Sequence, residues 1–278
     1  MNLSLGLSGC NLEIIGDGAI RKYSSSFDYN KRLMLQVNKQ DFFSKLILKN
    51  IDTPKIRRYC TGNLYFFDMD YISGKNYDEY LMSCNSNDIR FIVESFFNYF
   101  DFLINNHRKF NAKKNILLKL ETLETKSFYS KYIKFLKNYV NGEDFYIPKT
   151  FCHGDLTFSN IIFHPNRLYF IDFLDSYIDS FICDLVKIKQ DLYYFWNLKI
   201  QDKKSLRLMQ IYRFIWHNIV KKYSSYINTK EFDVIDSINY LRIEPYLTND
   251  TQRDILYKII ESSKLYEKFV NTDGWKIY

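Results

Sequence analysis

Residues 151–163, "FCHGDLTFSNIIF", set His153, Gly154 and Asp155 side by side and place Asn160 five positions past the aspartate, in a chain with only four histidines and nine glycines. Just downstream, "LYFIDFLDS" at 168–176 is an apolar, strand-like run that breaks on Asp172. Between them the two stretches offer a carboxylate on a loop, a neutral oxygen ligand and a second carboxylate at a strand end. Phosphoryl transfer needs this kind of set, because the protein's task there is positioning, metal binding and orientation of the attacking hydroxyl. Magnesium prefers such hard oxygen donors. Taken singly, the same residues also read as a turn aspartate, a helix-capping asparagine and a strand terminator. Their order and spacing favour the chemistry.

The rest of the chain bounds that reading. Its 278 residues suit one large domain or two lobes, and 46% apolar content with 18% aromatics can fill a sizeable core. Twenty-four Tyr and 24 Phe beside nine Gly and four Pro imply long, packed elements with few loops. The net charge of +7 comes from basic residues scattered between apolar positions in "KKNILLK", "KFLKNY" and "QDKKSLR". This is the pattern of solvated helix faces, so no nucleic-acid partner is expected, although a mildly basic surface suits an anionic nucleotide. The five cysteines, Cys10, Cys60, Cys84, Cys152 and Cys183, are odd in number and show no CxxC spacing, which speaks against a disulfide framework or a zinc site. The N-terminal "MNLSLGLSGCNLEIIG" has no basic region followed by a continuous apolar one, and no apolar run approaches the length of a membrane span. The expected compartment is the cytoplasm, with no membrane span; oligomeric state is not legible.

Along the chain, "LEII" and "AIRKYS" read as short strands joined by the turn "GDG", after a glycine-containing loop "GLSGCN". A helix is expected at about 30–48, with Leu33, Gln36, Val37 and Gln40 on neighbouring faces, and a strand at 64–72. From Asn76 the pattern turns helical, with helices expected at 88–106, 117–140, 181–197, 203–224, 231–242 and 250–270, interrupted by strand and turn elements at 149–175. The fold class is therefore α+β: a small β-rich N-terminal lobe (1–72) and a larger helical C-terminal lobe (73–278).

His153, Asp155 and Asn160 match an HxDxxxxN catalytic loop, and "IDF" at 171–173 matches the metal-binding aspartate that follows it. In this the chain resembles the aminoglycoside phosphotransferase and choline kinase family of protein-kinase-like enzymes, the "HGD" form being closer to the aminoglycoside and fructosamine kinase branch. The resemblance implies a bilobal protein-kinase-like fold, with Asp155 as catalytic base, Asn160 and Asp172 as magnesium ligands and His153 as a brace. Asp184 in "CDLVKI" resembles the family's later structural aspartate. It further implies that ATP or another NTP, with Mg2+, is the phosphoryl source. In the N-terminal lobe, Gly6 and Gly9 would let backbone amides approach phosphates. The phosphate-pairing lysine would be Lys22, or Arg21 on the opposite face of the strand. Backbone groups at Met69, Asp70 and Tyr71 would bind adenine.

Two departures stand out. Between residues 27 and 50 the only acids are Asp28 and Asp41, so the usual helix glutamate that pairs the lysine is missing, and Gln36 or Gln40 would have to serve. Thr157 stands where Ser/Thr protein kinases carry lysine, Cys183 follows Asp172 by only eleven positions, and no APE motif follows, so there is no room for a peptide-docking activation segment. The resemblance then implies phosphorylation of a small-molecule hydroxyl on a sugar, amino alcohol or aminoglycoside-like acceptor. On the acceptor side, "QDLYYFWN" (Gln190, Asp191, Tyr194, Trp196) offers aromatic residues beside an acid, which read first as core, and "YLRIEPY" offers Arg242 and Glu244. The alternatives are a non-catalytic nucleotide-binding regulatory protein of the same fold and a fructosamine-kinase-like enzyme acting on glycated amines.

Overall fold

The structure, a computed structural model, describes residues 2–3, 10–125, 127–201 and 205–273. From the N-terminus run β1 (Asn2–Leu3), β2 (Cys10–Gly16), β3 (Ala19–Ser24), α1 (Asn30–Ser44), β4 (Ile51–Asp52), β5 (Ile56–Cys60), β6 (Phe66–Asp70), α2 (Tyr77–Ser83) and α3 (Ser86–Asn105). There follow β7 (Arg108–Asn111), α4 (Lys113–Glu124), α5 (Ser130–Asn141), β8 (Tyr146–Lys149), β9 (Ile161–His164) and β10 (Arg167–Phe170). The remainder is helical: α6 (Phe181–Leu192), α7 (Trp196–Ile200), α8 (Leu206–Ile227), α9 (Lys230–Leu241), α10 (Asp250–Glu261) and α11 (Lys264–Asp273). The α+β class, with a β-rich N-terminal sheet and a helical remainder, is borne out.

The N-terminal sheet has the order β1-β2-β3-β6-β5, with every neighbouring pair antiparallel. The β2–β3 hairpin closes through Gly16, Asp17 and Gly18, all at positive φ (85°, 47° and 63°), the backbone geometry that tight hairpin turns require. One face of the sheet packs on α1. Leu33, Val37, Tyr65, Phe67 and Met69 form that core, with Leu12, Ile20, Tyr29 and Ile56 packed against it. The buried positions of α1, Leu33, Gln36, Val37, Gln40 and Phe43, recur at three- and four-residue spacing, as a helix with one buried face demands.

By packing, the chain divides into two compact units, residues 1–102 with 153–176 and residues 103–152 with 177–278. This division runs across the expected 72/73 boundary. The physical cause is strand pairing: β10 lies parallel to β4 (Leu168 opposite Ile51) and antiparallel to β9. Lys75 and Phe163 also exchange backbone hydrogen bonds, both 2.9 Å. Residues 153–176 thereby join the N-terminal residues.

In the second unit, three expectations need correction; the helix expected over 181–197 is two helices, α6 and α7, divided before Trp196 where Phe195 takes a left-handed backbone (φ +57°). The helix expected over 117–140 is two helices, α4 and α5, because Glu244 reaches the break between them and accepts from Ser127 Oγ and from the Phe128 amide (3.0 Å). That carboxylate satisfies the Phe128 amide, which a continuous helix would have bonded internally. The helix expected over 250–270 likewise divides, at Ser262–Ser263, into α10 and α11. The hairpin of β7 with β8 was not expected; Arg108 lies opposite Lys149 and Asn111 opposite Tyr146. Gln190, Asp191 and Trp196 are buried and belong to the core, whereas Tyr193 of the same stretch is exposed. Among the described residues, no helix is long and apolar enough to cross a membrane.

Candidate active site

The first quoted stretch is a loop folded around His153, whose side chain is wholly buried. Its Nε2 donates to the Ile171 carbonyl at 2.8 Å, and its Nδ1 accepts from the Asp155 amide at 3.2 Å. One proton on Nε2 satisfies both bonds, so the neutral ring joins the loop to the strand end that carries Asp172. Burial is the main reason its pKa falls from 6.5 to about 4. Unfolded, His153 takes up a proton near its ordinary value; folded, it resists down to about 4. The stability this contributes is complete above pH 6.5 and is lost as pH falls toward 4. Equilibrium unfolding at about pH 5 should therefore show roughly 2 kcal/mol less stability than at neutrality from this residue. That increment should vanish from the pH dependence of His153→Gln.

Gly154 follows with φ +87°, and a Cβ there would stand 2.3 Å from the Leu174 carbonyl oxygen. Both conformation and space demand glycine. Gly154→Ala should destabilise the unit by about 2–4 kcal/mol in a denaturant titration, since backbone strain and a backbone clash act together.

The 3₁₀ turn at Phe158–Asn160 swings Asn160 back to Asp155. Asn160 Nδ2 donates to the Asp155 carbonyl oxygen (2.8 Å) and to its Oδ2 (3.2 Å), which turns the amide oxygen of Asn160 the other way. The Ile171 amide donates to the Asn160 carbonyl at 3.0 Å, bringing the asparagine beside the residue that precedes Asp172. Asp172 has φ +60°, a left-handed conformation that aspartate tolerates better than most residues and that often marks a functional turn.

Lys22 completes the arrangement. Its Nζ lies 2.7 Å from Asp172 Oδ1; the lysine side chain is 2% exposed and the aspartate side chain 37%. Burial by itself would push the ammonium down, but the Asp172 carboxylate outweighs it and holds Lys22 above its ordinary value. Arg21, on the other face of β3, makes a two-pronged bond to Asp68 (2.8 and 3.1 Å) and lies over the Phe66 ring. Of the two candidates, strand alternation thus puts Lys22 at the site.

Other expected residues fall less simply. Gly6 and Gly9 lie outside the described residues. Met69 is part of the core under β6, while the amides of Asp70 and Tyr71 donate to Lys55 and Gly18 carbonyls at 3.0 and 2.8 Å. Those two N–H groups are engaged, so any recognition of a base at Asp70 and Tyr71 rests on their carbonyl oxygens. Neither glutamine of α1 pairs Lys22. Gln40 Nε2 donates to the Pro54 carbonyl at 2.7 Å, and the Gln36 Oε1 is buried without a hydrogen-bond partner. In the second unit Asp184 is buried in the first turn of α6, and Glu244 serves the α4–α5 break.

Sequence reading missed two contributors. Gly74 allows the chain after β6 to touch β9, where a Cβ would lie 2.4 Å from Ile162 Cγ2 and 2.9 Å from the Phe163 carbonyl oxygen. A lone glycine just past a strand was the available signal. Lys39 of α1 donates to the Leu174 carbonyl at 2.8 Å, and nothing in the local sequence announces it.

A buried lysine thus pairs with a strand-end aspartate, and an asparagine and a neutral histidine join that strand end to a second aspartate. The model of the phosphotransferase enzyme family matches residues 104–215, which include His153, Asp155, Asn160, Asp172 and Asp184. The resemblance to the aminoglycoside phosphotransferase and choline kinase family is thereby borne out. Among solved structures, a thermostable mutant of the aminoglycoside phosphotransferase APH(4)-Ia, in ternary complex with ADP and hygromycin B, is similar at TM-score 0.61 and 10% identity, covering 99% of this chain and 94% of that one. The gentamicin complex of APH(2")-IIa is similar at TM-score 0.60 and 14% identity, covering 95% and 91%. A choline/ethanolamine kinase family protein from Mesorhizobium loti is similar at 0.56 and 12%, covering 98% and 91%. At these identities the likeness is one of fold. No curated protein matches the sequence.

Proposed function

We propose that this chain transfers the γ-phosphoryl group of ATP or another NTP to a hydroxyl of a small molecule, in a cytoplasmic setting suited to its five thiols. The observation that carries the reading is the Lys22–Asp172 pair at 2.7 Å, held beside the Asp155–Asn160 loop by the Ile171 bonds to His153 and Asn160. Asp155 orients the acceptor hydroxyl and takes its proton. Lys22 faces the phosphates, and the carbonyl side of Met69–Tyr71 receives the base. The donor set suits Mg2+: one carboxylate oxygen of Asp172 and the amide oxygen of Asn160 are the hard ligands this ion prefers, and both come from the segment that Ile171 knits together. When bound, the ion neutralises charge on the phosphate oxygens. The acceptor class we propose is a sugar, an amino alcohol or an aminoglycoside-like compound.

The test is magnesium-dependent ADP release from purified protein against a panel of sugars, amino alcohols, aminoglycosides, nucleosides and glycated amines. Stimulation by one class names the acceptor. One observation favours a second reading, a nucleotide-binding regulatory protein: α1 supplies no acid to Lys22. Tight Mg-nucleotide binding with no stimulation by any acceptor would support it.

A further inference from the structure

Helix α1 meets the segment that carries Asp172 through two side chains one turn apart. Phe43 packs on Phe173 and Phe170 with ring centroids 5.0 and 5.8 Å away. Lys39, four residues earlier and therefore one turn away on the same face, donates from Nζ to the Leu174 carbonyl at 2.8 Å. Leu174 is held from the other side as well. Its amide donates to the His153 carbonyl at 2.9 Å, and its carbonyl is the atom that leaves no room for a Cβ on Gly154. The carbonyl that Lys39 grips thus abuts the residue next to Asp155 and lies two residues past Asp172. Meanwhile α1 sends no bond to Lys22: Gln40 is engaged by Pro54, and Gln36 keeps a buried, unbonded oxygen.

We propose that Lys39 is a positioning residue that couples helix α1 to the catalytic loop through the Leu174 carbonyl, in place of a helix carboxylate acting through Lys22. The proposal rests on the kinase reading for its catalytic consequence but not for the coupling. Phe43 supplies contact without direction, since an apolar ring pair tolerates sliding. The Lys39 bond is charge-assisted and directional, and it fixes the turn in which Asp172 adopts its left-handed backbone. A side chain of similar length without the charge would keep the packing and lose the register.

The experiment compares Lys39→Met and Lys39→Arg in the full chain. Two quantities are read: steady-state turnover with the acceptor found above, and amide hydrogen exchange over residues 171–176 without nucleotide. Lys39→Met should lower kcat roughly ten- to hundredfold, leave the nucleotide KM within about twofold, and speed exchange across 171–176. Lys39→Arg should restore both. Unchanged exchange in Lys39→Met, or an Arg variant no better than Met, would overturn the coupling. Should Lys39→Met fail to fold, Lys39→Gln takes its place with the same expectations. If the wild-type chain turns over no acceptor, the exchange result still decides the coupling, and the kinase reading is what fails.

Discussion

Asp155→Asn should lower kcat by roughly a hundred- to ten-thousandfold, the usual contribution of a positioned general base, while Mg-nucleotide affinity stays within a few-fold of wild type. The structure explains why the two effects separate. The shorter of the Asn160 bonds to this residue goes to the Asp155 backbone carbonyl, 2.8 Å, which the substitution leaves in place. The longer one, to Oδ2 at 3.2 Å, can be accepted by the new amide oxygen. His153 bonds the backbone amide of residue 155, which is also retained. The loop therefore keeps its shape and loses only a group able to accept the acceptor's proton. ADP release and calorimetric nucleotide binding, measured on the same preparation, check this; full activity would reject the base assignment.

Asp172 should show a different pattern, because in the proposed function it serves two partners, Lys22 and the metal. Asp172→Ala should weaken Mg-nucleotide binding about tenfold or more, the scale at which even outer-shell groups of metal sites matter. It should also destabilise the protein by about 2 kcal/mol, since Lys22, 1% exposed, loses its carboxylate and is left as an uncompensated buried ammonium. The figure is set below that of a fully buried pair because the Asp172 side chain is 37% exposed and water can approach. Asp172→Asn separates the roles. Asparagine tolerates the left-handed backbone at φ +60° and still accepts from Lys22, so stability should largely return while metal-dependent affinity stays low. Denaturant unfolding with nucleotide titrations at varied Mg2+ reads both, and metal-dependent affinity equal to wild type in both variants would remove Asp172 from the ligand set.

Much of this site is legible before folding. The HGD triplet, an asparagine at the right offset and an aspartate ending an apolar run are all set by spacing along a few turns and strands. The choice of Lys22 over Arg21 follows from alternation along β3, because neighbouring strand residues face opposite sides. The turn at Gly16–Gly18 and the buried stripe of α1 are equally local, being consequences of glycine's backbone freedom and of helical periodicity.

What the sequence by itself determined, then, is which residues are candidates for the chemistry and on what kind of element each sits. Tertiary structure alone decided how they are held. The partner of Lys22 is Asp172, 150 residues away, rather than an amide of the nearby helix. Lys39 reaches a carbonyl 135 residues on, and Glu244 ends a helix from 116 residues away. Propensity and periodicity act over roughly one turn or one strand. A polar group buried by the fold takes whichever partner the packing brings within about 3 Å, and that depends on the path of the whole chain.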